Sequence, residues 1–125
     1  MPVQKILIVD DEIGLSESIS LDLQTAGRFN VEKAKNGQDG LEKYKQFLPD
    51  LVIMDIEMPI MDGYQSSHNI KAFDPAAKIL VLTGNPKGSR AKRTVKDGIA
   101  LNLLQKPIRL RDLRQIILDI LPSYT

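Results

Sequence analysis

The chain has 125 residues, 42% of them hydrophobic and none of them cysteine, and its formal net charge is +1. That size and apolar share fit one domain with a single core, expected over residues 1–125, and the lack of thiols excludes disulfides, thiolate catalysis and Cys-ligated metal. No apolar run approaches the ~18 residues of a membrane span. Met1 to Lys5 lead straight into the first strand and leave no room for a signal peptide, so the expected location is the cytoplasm.

Ile6-Leu7-Ile8-Val9 is a short apolar run that ends in Asp10-Asp11. Such runs, set between helix-like segments, predict central parallel strands buried on both faces. The first helix is expected from about Leu15 to Ala26, with Leu15, Ile19, Leu23 and Ala26 on one stripe and Gly27 placed to end it. Phe29-Asn30-Val31-Glu32 is short and polar, as an edge strand is. Gly37 marks a turn, and Leu41, Tyr44 and Leu48 form the stripe of a second helix stopped by Pro49. Leu51 to Met54 make the third strand, which runs into Asp55. Met58-Pro59 and Asp62-Gly63 punctuate a loop before a third helix of about Tyr64 to Ala72.

Pro75 separates that helix from the fourth strand, Ile79 to Leu82, which runs into Thr83. The fourth helix, about Ser89 to Asp97, has only Ala91 and Val95 as clear apolar residues. It should bury little surface and be loosely held. Leu101 to Leu104 form a fifth buried strand, followed by Gln105, Lys106 and Pro107, where a cis bond is one option. The fifth helix carries a full stripe of Leu110, Leu113, Ile116, Ile117, Ile120 and Leu121, and Pro122 ends it. Five strand–helix alternations with right-handed crossovers predict an α/β fold: a (βα)5 doubly wound five-stranded parallel sheet with helices on both faces. The flavodoxin-like strand order 2-1-3-4-5 is taken for it.

In such a sheet ligands sit outside the carboxyl ends of the strands, at the switch in strand order. Three carboxylates, a hydroxyl and an ammonium therefore converge at one edge. Carboxylates that close repel each other strongly in low dielectric, and a hard dication such as Mg²⁺ relieves the repulsion. Beside a bound metal and a lysine, Asp55 can act as a nucleophile toward phosphorus. Glu57, two residues on, could reach the pocket mouth. Singly, each residue also has a plain reading. Asp10-Asp11-Glu12 fits an acidic cap on the first helix, Asp55 and Gly84 fit turn residues, Thr83 an ordinary strand residue and Lys106 an exposed one. Together, at four successive strand ends, they point to phosphoryl transfer. His68, the single histidine, reads as a surface residue of the third helix.

Asp10-Asp11, Asp55, Met58-Pro59, Asp62-Gly63, Thr83-Gly84 and Lys106-Pro107, spread over about residues 4–121, resemble the receiver domain of two-component response regulators. The resemblance implies that Asp55 takes a phosphoryl group from a histidine kinase. It implies that Asp11, Asp55 and the backbone carbonyl of Glu57 ligate Mg²⁺, with Asp10 acting through water. Lys106 would pair with the phosphoryl oxygens, and the Thr83 hydroxyl would move to bond one of them. The only catalysis implied is self-phosphorylation and slow self-dephosphorylation. Such domains often place an aromatic residue three positions before the lysine; here it is Leu103.

Residues 1–62 hold 6 Lys/Arg against 12 Asp/Glu, and residues 63–125 hold 11 against 4. The second-half charges at Lys87, Arg90, Lys92, Arg93, Lys96, Arg109, Arg111 and Arg114 fit either a solvated face or a docking surface for an acidic protein. A downstream protein partner is expected on the face of helix four, strand five and helix five. Nothing resembles an element that reads nucleic acid. Two other readings stand beside the stand-alone receiver. One is a receiver cut from a larger regulator or hybrid kinase, although Pro122-Ser123-Tyr124-Thr125 does not resemble a linker. The other is a small Mg²⁺-dependent phosphohydrolase of the haloacid dehalogenase type, with Asp55 and Glu57 as nucleophile and acid–base pair.

Overall fold

The apolar runs and their punctuation resolve into ten elements in a computed structural model that describes residues 3–122. In chain order they are β1 (Lys5–Val9), α1 (Ile13–Thr25), β2 (Asn30–Ala34), α2 (Gly37–Phe47), β3 (Leu51–Met54), α3 (Gly63–Phe73), β4 (Ile79–Thr83), α4 (Ser89–Lys96), β5 (Asn102–Gln105) and α5 (Leu110–Ile120). The strands form one parallel sheet in the order β2-β1-β3-β4-β5, as expected. Expectations placed on Met1-Pro2 and on Ser123-Tyr124-Thr125 lie outside the described residues.

Because alternate strand residues face opposite sides, the sheet divides the core in two. Leu7, Val9, Val52, Met54, Ile79 and Val81 pack with Tyr44 of α2, Ile70 of α3 and Ala91 of α4. Ile6, Ile8, Leu51, Ile53, Leu80 and Leu82 pack with Ile19 and Leu23 of α1 and Leu113 and Ile117 of α5. Val9 lies opposite Met54, and Met54 opposite Val81. That register brings the ends of β1 and β3 level, while β4 runs two residues further, to Thr83.

Several local expectations shift. β5 is not buried on both faces: as an edge strand it leaves Asn102 and Gln105 exposed and Leu103 and Leu104 half-buried. Leu101, outside the strand, is exposed. The second helix stops at Phe47, because Leu48 adopts a left-handed φ of 50° and is thrown outward. Gly40 and Tyr44, not Leu48, make its buried face. β2 starts one residue later than expected, with Phe29 buried ahead of it. Ala26 follows α1 and is exposed. In α4 the inward pair is Ala91 and Thr94, and Val95 faces solvent. Thr94 tolerates burial because its Oγ1 donates to the Ala91 carbonyl at 2.6 Å. The Lys106–Pro107 bond is cis.

Candidate functional site

Asp10 directly follows β1, Asp55 follows β3, and Lys106 follows β5, so the carboxyl ends of parallel strands carry all three to one edge. Two backbone bonds extend the parallel ladder just past the strands: Asp55 N–H donates to the Val9 carbonyl at 2.9 Å, and Lys106 N–H to the Thr83 carbonyl at 2.8 Å. The side chains therefore meet on a rigid rim. Asp10 and Asp55 are each only 5% exposed, and Asp11 is exposed. Carboxylate oxygens of Asp10, Asp11 and Asp55 lie within 4.8 Å of one another.

Lys106 Nζ stands 2.8 Å from Asp10 Oδ2, 2.8 Å from Glu12 Oε1 and 3.6 Å from Asp55 Oδ2. Asp55 Oδ1 accepts the Ile56 N–H at 2.9 Å. Burial, followed by the Asp10 charge, pushes Asp55 up to about 6 against the pull of Lys106. Burial by itself would lower the Lys106 ammonium. Hydrogen bonds to Asp10 and Glu12, with the charges of Asp10 and Asp55, hold it above its ordinary value instead. The pocket is thus overloaded with negative charge that one lysine does not balance. Clustered hard oxygen donors of this kind suit Mg²⁺, which binds through one or two carboxylates and keeps several waters.

The loop after Asp55 is held by close backbone packing. Gly63 N–H donates to the Ile56 carbonyl at 2.8 Å, and a Cβ at Gly63 would collide with the Asp55 carbonyl oxygen. Gly37 N–H donates to the Met61 carbonyl at 3.0 Å, and a Cβ there would collide with the same Met61 oxygen. The two glycines, read from sequence as turn signals, are required by close approach. Gly84 has no such constraint, since a Cβ there would meet nothing within 4 Å. Thr83 is fully buried, and its Oγ1 accepts the Asn85 N–H at 3.2 Å.

Glu57 departs from its expected place at the pocket mouth. Its carboxylate is exposed and takes a hydrogen bond from Arg90 of α4 at 2.9 Å, while the other arm of Arg90 reaches Asp62 at 3.0 Å. An acid–base role beside Asp55, as in the phosphohydrolase reading, has no support in this geometry. Arg90 and Arg114 are also committed within the chain, Arg114 to Asp22 at 2.7 Å. The basic face is narrower than its sequence count. His68 is exposed, as expected. Sequence reasoning passed over two side chains at the site, Glu12 on Lys106 and Arg90 on Glu57. Each pair is far apart in sequence, and no spacing signal announces it.

A sequence profile of the response regulator receiver domain matches residues 6–118. The chain is 34% identical over 121 residues to the chemotaxis protein CheY of Halobacterium salinarum, covering 96% of this chain and 98% of that protein. It superposes with a TM-score of 0.88 and 28% identity on a CheY-like receiver domain protein from Methanospirillum hungatei, covering 95% of this chain and 94% of the other. A chain of the CheX–CheY–BeF3–Mg²⁺ complex from Borrelia burgdorferi gives a TM-score of 0.85 and 28% identity, with 96% and 90% covered. Among the described residues no helix is long and apolar enough to cross a membrane.

Proposed function

Since the chain belongs to the response regulator receiver domain family, which implies two-component signalling, we propose that it is a stand-alone cytoplasmic receiver whose Asp55 accepts a phosphoryl group from a histidine kinase. An Asp55 carboxylate oxygen bonds to phosphorus as the bond from phosphorus to the donor's imidazole nitrogen breaks. The electron pair stays on that nitrogen, which then takes up a proton. Such transfers pass through a loose transition state and need in-line positioning and neutralised oxygens more than covalent help. Lys106 supplies positive charge at the rim. Asp11, Asp55 and the Glu57 backbone carbonyl, with Asp10 through water, would hold Mg²⁺, which supplies further neutralising charge when bound.

The observation that carries this reading is the position of buried Asp55, 3.6 Å from Lys106 and beside two further carboxylates, at the carboxyl edge of the sheet. The acyl phosphate carries about −1.5 to −2 charge where the carboxylate carried one negative charge, and it brings three acceptor oxygens. The Thr83 hydroxyl can move to donate to one of them, which draws Oγ1 away from the Asn85 N–H whose bond it now accepts. The loop through Asn85, Pro86 and Lys87 then moves, and α4 with it. The output is a changed α4–β5–α5 face for an acidic protein partner bound in trans. Receiver domains are generally not enzymes toward outside substrates, and here catalysis is confined to the chain's own phosphorylation and slow dephosphorylation.

Incubation with Mg²⁺ and acetyl phosphate should add one acid-stable, base-labile phosphoryl group, read by intact-mass spectrometry. Asp55→Asn should take none. Phosphate kept by that variant at the unsubstituted level would move the acceptor elsewhere.

A further inference from the structure

An ammonium has three N–H donors, and three carboxylates surround the one on Lys106. Two of them, Asp10 and Glu12, lie at 2.8 Å and Asp55 lies at 3.6 Å. Their side-chain exposures differ sharply, at 4% and 6% for Asp10 and Asp55 against 60% for Glu12. Glu12 occupies the N-cap of α1, yet its side chain makes no capping hydrogen bond. A short N-cap side chain such as Asp or Ser turns back on the free amides of the first turn, and the longer Glu12 is free of that role. Its carboxylate reaches instead to a residue 94 positions away, while its backbone N–H donates to Asp10 Oδ1 at 2.9 Å.

We propose that Glu12 is a positioning residue that stands in for a phosphoryl oxygen: it occupies a Lys106 donor that the acyl phosphate needs, and the arriving phosphoryl group displaces it. The inference rests on the reading of Asp55 as the acceptor and adds what must give way when the group arrives. Asp10 is a poor candidate for displacement, being buried and held by the Glu12 N–H. Glu12 is exposed, so water takes over its carboxylate at little cost. Repulsion from the new phosphoryl charge favours its departure. A cleft of about 380 Å³, lined by Glu12, Leu15, Leu82, Gly84, Lys106 and Pro107 among others, adjoins the pair. The side chain can swing there without disturbing the core. Glu12 thus sets how tightly the pocket holds a phosphoryl group and how readily it takes one.

The test titrates the full chain with beryllofluoride and Mg²⁺ by calorimetry, comparing the unsubstituted protein with Glu12→Gln, Glu12→Ala, Asp55→Asn and Glu17→Gln. Glu17 is an exposed carboxylate on the same helix and controls for charge removal as such. Both Glu12 variants should bind roughly two- to fivefold more tightly, the span expected for releasing one partly exposed ion pair. The Lys106 Nζ signal in ¹⁵N spectra should shift before ligand is added. The gain should survive added salt, whereas any gain in Glu17→Gln should fade. Unchanged or weaker binding in both Glu12 variants, or a gain equalled by Glu17→Gln, overturns the proposal. An unsubstituted protein that does not bind beryllofluoride, or an Asp55→Asn variant that binds it equally well, overturns the acceptor reading and this inference together.

Discussion

Helix α5 turns Leu113 and Ile117 into the core, with Leu121 buried behind them and Leu110, Ile116 and Ile120 half-buried alongside. Helix α4, eight residues long, buries only Ala91 and Thr94. Its other attachments are polar and lie on the surface. Arg90 bridges to Glu57 and Asp62, Asp97 accepts the Tyr64 hydroxyl at 2.8 Å, and the Arg93 guanidinium lies 4.5 Å from the Tyr64 ring centre. α5 is therefore fixed by removal of apolar area from water, which charge at the pocket barely affects. α4 is tethered by charges to α3 and to the loop that follows Asp55. A helix held in that way can respond to a phosphoryl group, and one held like α5 cannot follow it cheaply.

The largest expected contrast is in stability. Leu113→Ala or Ile117→Ala should cost about 2–5 kcal/mol in urea unfolding, as a lost core side chain and its cavity do. Val95→Ala on α4 should fall within about 0.5 kcal/mol of the unsubstituted protein. A large loss at Val95 would mean that α4 is anchored by burial after all.

The next contrast is in pH, and it separates the pocket from the α5 core. In the folded metal-free protein Asp55 is pushed up to about 6 from an ordinary value of 3.8. Between those values the folded state holds a proton that the unfolded chain has released. Stability from this group is complete below 3.8 and is lost as pH rises through 6. At roughly 1.4 kcal/mol per unit, Asp55→Asn should stabilise the metal-free protein by about 3 kcal/mol at neutral pH and hardly at all near pH 4. Added Mg²⁺ should shrink that advantage by stabilising the carboxylate form. The losses in the α5 variants should be the same at both pH values. Equal stabilisation by Asp55→Asn at both would show that the pocket carries no such strain.

The smallest effects should appear in amide exchange. Beryllofluoride should change exchange most between residues 84 and 98 and little between residues 110 and 120. Arg90→Ala should leave global stability unchanged but speed exchange several-fold over Ser89 to Lys96, an increase that high salt should mimic in the unsubstituted protein. A response confined to α1 or α5 would send the switch along another route.

Much of this was legible in the linear order of residues. Apolar runs that end in Asp10-Asp11, Asp55, Thr83 and Lys106 implied a parallel sheet with its chemistry at one edge. Each strand end could be read locally, and right-handed crossovers bring like ends together. The full stripe of α5 likewise settled which of its sides turns inward. The phase of α4 was not legible. With so few apolar residues in eight positions, periodicity cannot choose between Thr94 and Val95, and the hydrogen bond from Thr94 to its own helix decided it. Nor could the sequence assign the partners of Glu12, Glu57 and Arg90. Those contacts join residues 94 and 33 positions apart, and long charged side chains choose among neighbours that only the folded chain assembles.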